Sequence, residues 1–199
     1  MILYLHGFRS SPASFKARLL AQAMKEAGRQ REWACPQLPA SPRQAVELAL
    51  ELARPMQARA RDQGGELTVI GSSLGGYYAT WVAEQLGCRA ALLNPVVHAA
   101  RDLASQVGAH TGYHDGAPFV FEPGYVDELR AYFVARITAP DRYYLLAATG
   151  DEVLDWREMQ DHYPGARQRI IPGSDHGIGD FAAYLPEVLR FANGQDFTG

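Results

Sequence analysis

Residues 67–76 read L-T-V-I-G-S-S-L-G-G, and this stretch determines how the rest of the chain is interpreted. A short apolar run ends at Gly71, Ser73 stands between Gly71 and Gly75, and an apolar pattern with helical spacing begins at Leu74. The pattern predicts a strand, a sharp turn and a helix, with Gly-x-Ser-x-Gly at the turn, an arrangement called a nucleophile elbow. The serine hydroxyl would then project beyond the strand. The alternative is a plain turn in which the glycines only allow close packing and Ser73 caps the helix.

Length and composition indicate a globular protein that forms one domain over residues 1–199. The chain is 47% hydrophobic and carries a net charge of −3, which gives no reason to expect nucleic acid or a membrane surface as a partner. Cys35 and Cys88 have no metal-ligand spacing and are too few for a disulfide framework. Neither a signal peptide nor a membrane-spanning run is visible, so we expect a cytoplasmic protein.

Short apolar runs alternate with helical patterns along most of the chain. The runs cover residues 2–5, 32–35, 67–70, 90–93, 142–148 and 168–171. Alternation of this kind implies right-handed crossovers between parallel strands. The sequence therefore predicts an α/β fold with a mostly parallel sheet of about six strands and helices on both faces.

Serine–proline pairs and single prolines predict where the helices begin and end. Ser11-Pro12 and Ser41-Pro42 each resemble a helix N-cap followed by proline in the first turn. Pro55 is expected to kink or end the second helix, because proline lacks the N–H that an interior position donates. Pro186 is expected near the start of the last helix.

The regular alternation breaks between residues 96 and 140, where we expect a small, irregular, cap-like insertion. Only residues 125–133 or so have helical character. Insertions at the carboxyl end of a central strand often carry ligand-contacting loops. Phe119, Phe121 and Tyr125 are therefore candidate substrate-binding residues. The alternative, that these aromatic side chains only cover the core, stays open.

Reactive or donor-rich residues follow four of the predicted strands. They are His6-Gly7-Phe8, Ser73, Asp151 and His176. The carboxyl ends of parallel strands share one edge of a sheet, so these residues should lie together. Serine, acid and histidine also occur in the chain order typical of α/β-hydrolases.

This order predicts a Ser-His-Asp arrangement for nucleophilic catalysis. A serine hydroxyl needs a base at neutral pH, and His176 would take the proton of Ser73. Asp151 would accept the other imidazole N–H and hold the tautomer. The backbone N–H groups of Phe8 and Leu74 would bind the oxyanion.

Three other carboxylates compete with Asp151 in the sequence. Asp155 precedes a helical pattern at Trp156 and is better placed as an N-cap. Asp175 adjoins His176, but neighbouring side chains in an extended chain point apart. Glu152 is less well placed.

The histidines other than His176 are not expected to take part in the chemistry. His6 is interpreted as structural, bracing the loop of Phe8. The remaining four lack ligand-like spacing with acids or cysteines, so neither a metal nor a cofactor is expected. They are His98, His110, His114 and His162.

Motifs along nearly the whole chain resemble the small bacterial esterases called YqiA-like or YcfP-like proteins. The matching segments are residues 5–8 (LHGF), 10–12 (SSP), 71–77 (GSSLGGY), 93–95 (LNP), 149–154 (TGDEVL) and 173–176 (GSDH). The resemblance implies a compact α/β-hydrolase that lacks the first two strands of larger members. It also implies esterase or thioesterase activity with Ser73, Asp151 and His176 as the triad. The segment between Val96 and Pro140 has no motif that we can match.

The sequence thus predicts a hydrolase that cleaves small to medium acyl esters or thioesters through an acyl-enzyme. Two alternatives remain at this stage. The same triad could cleave an amide or a carbon–carbon bond, or the scaffold could serve as a non-catalytic binding protein. Residue patterns do not determine the natural substrate or the oligomeric state.

Overall fold

A computed structural model describes residues 1–114 and 116–195, and its centre is a parallel β-sheet. The strands are β1 (Ile2–Leu5), β2 (Trp33–Ala34), β3 (Thr68–Ser72), β4 (Arg89–Leu93), β5 (Gly108–Thr111), β6 (Pro118–Phe121), β7 (Tyr143–Ala148) and β8 (Arg167–Ile171). Six of them pair in parallel in the order β2-β1-β3-β4-β7-β8. The sheet predicted from the apolar runs is confirmed.

Helices cover both faces of this sheet. They are α1 (Phe15–Glu26), α2 (Pro42–Asp62), α3 (Leu74–Leu86), α4 (Ala99–Asp102), α5 (Pro123–Ala131), α6 (Trp156–His162) and α7 (Leu185–Ala192). Leu3 and Leu5 of β1 pack in a core with α2 and α3, whereas Ile2 and Tyr4 pack in a second core with α1 and α7. Successive residues of a strand point to opposite faces, so an unbroken apolar run supplies both cores.

The strand order places a topological switch point beside β1. The chain leaves β1 through α1 to β2 on one side, and then returns to β3 on the other side of β1. In open α/β sheets, ligands bind in the crevice at the carboxyl ends of the strands at such a point. Here the crevice lies between the loop after β1 and the turn after β3.

One expectation about a helix boundary is wrong, and for Pro55, which was expected to kink or end the second helix, the structure excludes the end. The first helix begins at Phe15 rather than after Ser11, whose hydroxyl instead accepts a hydrogen bond from the Ala13 N–H. The second helix continues through Pro55 to Asp62. Pro55 lies on the exposed side of α2, as does Glu51 four residues earlier, so water can solvate the carbonyl that the proline leaves unpaired. Among the described residues, no helix is long and apolar enough to cross a membrane.

The segment between residues 96 and 140 contains more regular structure than its sequence indicates. The expected helix forms as α5, but β5 and β6 also pair as an antiparallel hairpin, separate from the main sheet. No strand was predicted there because residues 108–111 read G-A-H-T, without apolar alternation. The hairpin packs over the loop after β1 through the side chain of Phe8, which contacts Phe119 and Phe121.

Candidate active site

The turn after β3 holds Ser73 in a backbone conformation that L-residues rarely adopt. Its φ is 54° and its ψ is −122°, directly before the first residue of α3. A Cβ atom at Gly71 would lie 2.2 Å from the Gly75 carbonyl oxygen, and one at Gly75 would lie 2.0 Å from that of Leu5. The glycines of the motif are therefore required by backbone contact, and the strained serine persists because the surrounding packing fixes it.

A chain of two hydrogen bonds joins Ser73, His176 and Asp151. Ser73 Oγ lies 3.0 Å from His176 Nε2, and His176 Nδ1 lies 2.8 Å from Asp151 Oδ2. A carboxylate only accepts hydrogen bonds, so Nδ1 carries the proton and the Nε2 lone pair faces the serine hydroxyl. The Asp151 side chain is 0% exposed and that of His176 is 21% exposed. The imidazole is thus held in the tautomer that can take a proton from Ser73.

The Asp151 carboxylate is held by main-chain donors as well as by His176. Its Oδ1 accepts hydrogen bonds of 2.8 Å from the N–H groups of Val153 and Leu154. These contacts fix the carboxylate in one orientation and leave Oδ2 for the imidazole. Charge-assisted bonds of this kind are stronger than neutral ones.

The competing carboxylates have other partners. Asp155 caps α6 by accepting from the Arg157 N–H, the role expected from the sequence. Asp175 accepts from the N–H of Gly179, within its own loop. Glu152 accepts at 3.0 Å from the main-chain N–H of His176, so it holds the histidine's backbone and does not contact its ring.

Asn94 holds the loop that carries His176, a role that its residue pattern did not indicate. It is fully buried at the end of β4 with a φ of 41°. Its Nδ2 donates to the carbonyls of Asp175 and His176 at 3.1 and 3.0 Å, and its Oδ1 accepts from the Ala148 N–H at 2.8 Å. Asn94 thereby ties the His176 loop to β7. The motif Leu93-Asn94-Pro95 was visible in the sequence, but only the fold shows what its amide contacts.

Lys16 is a second support of the same loop. The side chain is 9% exposed, and its Nζ donates to the Gly177 carbonyl, the residue after His176. Burial lowers the pKa of the Lys16 ammonium to about 8, and the carboxylates of Asp175 and Asp151 partly oppose this effect. A lysine on α1 thus contacts a loop that lies 161 residues away in the chain.

The loop after β1 lies directly against Ser73. A Cβ atom at Gly7 would be 3.6 Å from Ser73 Oγ, so the backbone that leads to Phe8 approaches the hydroxyl closely. Within residues 1–114 and 116–195, the N–H groups of Phe8 and Leu74 have no hydrogen-bond acceptor. Leu74 is also the first residue of α3, where the helix dipole favours negative charge. Both groups can therefore donate to an anionic oxygen.

His6 braces this loop, in agreement with its structural interpretation. Its Nε2 accepts at 3.0 Å from the Leu38 N–H, and its Nδ1 lies 3.0 Å from the Gly7 carbonyl. Burial lowers the pKa of His6, so the ring is neutral at pH 7. The ring therefore links the end of β1 to the segment before α2.

The three aromatic residues proposed for substrate binding occupy different positions. Phe119 lines a cavity of about 200 Å³ beneath the β5–β6 hairpin, together with Phe8 and Leu74. Phe121 is only 1% exposed and packs in the core, and Tyr125 packs against it. A second cavity of about 270 Å³ is lined by Ser73, His176 and residues of α1.

The two cysteines do not offer an alternative nucleophile. Both are free thiols, and burial raises the pKa of each to about 12. A thiol with such a pKa carries almost no thiolate at neutral pH. Of the described nucleophilic side chains, Ser73 is the one bonded to a histidine at the sheet edge.

The sheet, its strand order and the elbow at the switch point define an α/β-hydrolase fold. Residues 1–193 match the uncharacterised protein family UPF0227, and the chain belongs to this family. YqiA/YcfP-like proteins form the same family, so the resemblance drawn from the motifs is confirmed.

Solved structures of the same fold align over nearly the whole chain. Est1E from Butyrivibrio proteoclasticus with bound ferulic acid has a TM-score of 0.71 and 16% identity over 96% of this chain and 86% of its own. Mouse alpha/beta hydrolase domain-containing protein 10 aligns with a TM-score of 0.68 and 14% identity, over 94% of this chain and 88% of its own. The esterase domain of a Rhodothermus marinus protein aligns with a TM-score of 0.63 and 22% identity, over 94% of this chain and 83% of its own. Identities this low establish the shared fold alone.

Proposed function

We propose that this protein is a serine hydrolase that cleaves carboxylic esters or thioesters, with Ser73, His176 and Asp151 as its catalytic triad. The observation that carries the proposal is the continuous hydrogen-bond chain from Ser73 Oγ through the imidazole to the buried Asp151 carboxylate. Nucleophile, base and orienting acid are each within hydrogen-bond reach of the next, as covalent catalysis by serine requires.

Acylation begins when Ser73 Oγ attacks the acyl carbon and His176 Nε2 takes the hydroxyl proton. Asp151 stabilises the imidazolium that forms. The tetrahedral intermediate then breaks the bond from the acyl carbon to the leaving oxygen or sulfur. His176 returns its proton to that atom, an alcohol or thiol departs, and the acyl group remains on Ser73.

Deacylation repeats these steps with water. His176 takes a proton from the water as its oxygen attacks the acyl-serine, and then gives the proton to Ser73 Oγ as the carboxylic acid leaves. In both halves, the negative charge on the former carbonyl oxygen is stabilised by the N–H groups of Phe8 and Leu74. A donor of this kind typically contributes about 3–4 kcal/mol to transition-state binding.

Names of the structural neighbours agree with this reaction class, since they include an esterase domain and Est1E with ferulic acid. No observation in the site favours amide or carbon–carbon bond cleavage over ester cleavage. All three members of the triad are present and bonded, which argues against a scaffold that only binds.

Ser73→Ala tests the proposal. We expect hydrolysis of p-nitrophenyl butyrate to fall by about 10⁴-fold or more, because loss of a serine nucleophile removes the covalent route. Wild-type protein should be labelled by a fluorophosphonate probe and the variant should not, while both show the same circular dichroism spectrum.

Two outcomes would overturn the proposal. Full ester cleavage by Ser73→Ala would exclude Ser73 as the nucleophile. A folded wild-type protein that neither reacts with the probe nor cleaves any of a panel of esters, thioesters, amides and diketones would favour a binding protein.

A further inference from the structure

Two cavities lie on either side of the loop after β1. Ser73 lines one of them, and Leu74, the residue after it, lines the other. The hairpin cavity, beneath the β5–β6 hairpin, is lined by Phe8, Leu38, Leu74, Tyr78 and Phe119 among others. The α1 cavity is lined by Ser73, His176 and, on α1, Phe15 and Lys16. Gly7 and Phe8 border both, so the loop after β1 divides them.

The position of His176 decides which half of the substrate enters which cavity. The imidazole must deliver its proton to the leaving group, so the leaving group lies beside His176 Nε2. His176 lines the α1 cavity and does not line the hairpin cavity. The carbonyl oxygen would point at the N–H groups of Phe8, which borders both cavities, and of Leu74, which lines the hairpin cavity and not the α1 cavity. The acyl chain, on the other side of the carbonyl from the leaving group, is then directed beneath the hairpin.

The size and walls of the hairpin cavity define what acyl group it can hold. Its volume is about 200 Å³, and Phe8, Phe119 and Tyr78 supply aromatic surface. An apolar cavity of roughly 150 Å³ is large enough to bind benzene. A single aromatic ring or a short aliphatic chain therefore fits, whereas a long fatty acyl chain does not.

The hairpin is fastened at the mouth of this cavity by Arg9, the residue after Phe8. The Arg9 carbonyl accepts from the Tyr113 N–H at 2.8 Å, and its Nε donates to the Thr111 carbonyl at 3.0 Å. Its guanidinium lies 4.3 Å from the centre of the Tyr113 ring. Rings of Phe8 and Phe119 meet edge to face at a centroid distance of 5.7 Å. The hairpin and the loop after β1 thus form one wall, in which Phe119 is the aromatic residue of the hairpin that lines the cavity.

Resting on the proposed function, we infer that the natural substrate is an ester or thioester of a short aliphatic or single-ring aromatic acid, and that Phe119 sets the limit on acyl size. The leaving group lies in the α1 cavity, so other residues determine which leaving groups the enzyme accepts. Acyl size and leaving-group identity should consequently respond to different substitutions.

A matched pair of Phe→Ala variants separates the two cavities. We would measure kcat/KM for p-nitrophenyl esters from acetate to dodecanoate and for the benzoate, with the leaving group held constant. Wild-type protein should prefer the butyrate, hexanoate or benzoate. Phe119→Ala should raise kcat/KM for the octanoate relative to the butyrate by about tenfold, the usual discrimination from added apolar space. Phe15→Ala, in the α1 cavity, should leave the acyl-length profile within about twofold.

Ala40→Leu makes the cavity smaller, where Phe119→Ala makes it larger. It also keeps the inference testable if Phe119→Ala does not fold. Ala40 lines the hairpin cavity, and the added side chain reduces its volume. This variant should lower kcat/KM for the hexanoate relative to the acetate by about tenfold.

The inference would be overturned by a wild-type preference for the dodecanoate, or by a length profile that Phe15→Ala changes and that Phe119→Ala and Ala40→Leu do not. Such results differ from failure of the proposed function. In that case, no ester is cleaved and Ser73 does not react with the fluorophosphonate probe, whatever the acyl length.

Discussion

The floor and the roof of the site are built in different ways. The floor consists of the strand ends with Ser73, Asn94, Asp151 and His176, where buried side chains and main-chain groups form a dense hydrogen-bond network. The roof is the β5–β6 hairpin, which packs on the loop after β1 through aromatic contacts and the contacts of Arg9. Hydrogen-bonded groups in a buried network have few alternative arrangements, whereas packed rings tolerate substitution when volume is kept.

This contrast separates the proposed chemistry, which depends on the floor, from the proposed acyl preference, which depends on the roof. Loss of a floor residue should remove the reaction or the fold. Loss of a roof residue should change the rate or the preferred acyl group by modest factors. The following predictions, from the largest expected effect to the smallest, test this difference.

Asp151→Asn should lower kcat for p-nitrophenyl butyrate by about 10⁴-fold, because an amide no longer holds the imidazole in the correct tautomer. The matched control is Asp155→Asn, whose residue caps α6 and does not contact His176. Asparagine caps a helix as well as aspartate does, so the control should keep its activity. If both variants lost activity equally, or if neither lost activity, the assignment of Asp151 to the floor would be wrong.

Gly75→Ala should destabilise the protein by about 3 kcal/mol or more, measured from the urea midpoint. A Cβ atom there would lie 2.0 Å from the Leu5 carbonyl oxygen, and the backbone of two elements would have to move. Gly124→Ala is the control, since nothing lies within 4 Å of a Cβ at that position in α5. It should raise stability by about 0.5–1 kcal/mol, because alanine is the better helix former. If both variants had the same midpoint, the elbow would not be closely packed.

Lys16→Met should change how stability depends on pH. Burial lowers the pKa of Lys16 to about 8 in the folded protein, whereas the pKa of an exposed lysine in the unfolded chain is 10.5. Below pH 8 the ammonium is charged in both states and its burial penalty is fully present. Between pH 8 and 10.5 the unfolded chain binds more protons, so the contribution of Lys16 to stability rises with pH.

Urea unfolding at pH 7 and pH 10 measures this effect. The wild-type protein should gain about 2 kcal/mol relative to Lys16→Met over this range. A constant difference between the two proteins would show that the ammonium is solvated in the folded state. Arg18→Met, an exposed position on the same helix, controls for loss of a positive charge.

Arg9→Ala should have the smallest effect, a decrease in kcat of about fivefold with little change in KM. The variant loses the contact with the Tyr113 ring and one hydrogen bond to the hairpin, which is worth about 1 kcal/mol, so the loop after β1 is held less firmly. Steady-state kinetics with p-nitrophenyl butyrate measures the change, and Arg18→Ala should behave as the wild-type protein. A decrease as large as that of Asp151→Asn would place Arg9 in the floor and remove the contrast.

Much of the floor could be predicted from the sequence because its information is local. The apolar run before Ser73 identifies a strand, and the glycines on either side identify the turn whose geometry they permit. Asp151 and His176 each follow an apolar run, and parallel strands bring their ends to one edge. Asp155 was recognised as a helix cap from its position alone.

The roof could not be predicted in this way. Residues 108–111 have no apolar alternation, and they form a strand because β6 pairs with them and Phe8 packs beneath. Phe119 and Phe121 are two residues apart on β6, yet one lines a cavity and the other is buried. Their patterns in the sequence are alike, and only the packing against the loop after β1 distinguishes them.

The sequence by itself determined the sheet, the elbow and the set of residues at its carboxyl edge, because strand periodicity and glycine-dependent turns are encoded over a few residues. Only the tertiary structure decided which carboxylate contacts His176, that Asn94 and Lys16 hold its loop, and that a hairpin encloses a small cavity. Each of these depends on the direction of side chains from segments far apart in the chain. Such contacts arise from the packing of the whole molecule and leave no local pattern in the sequence.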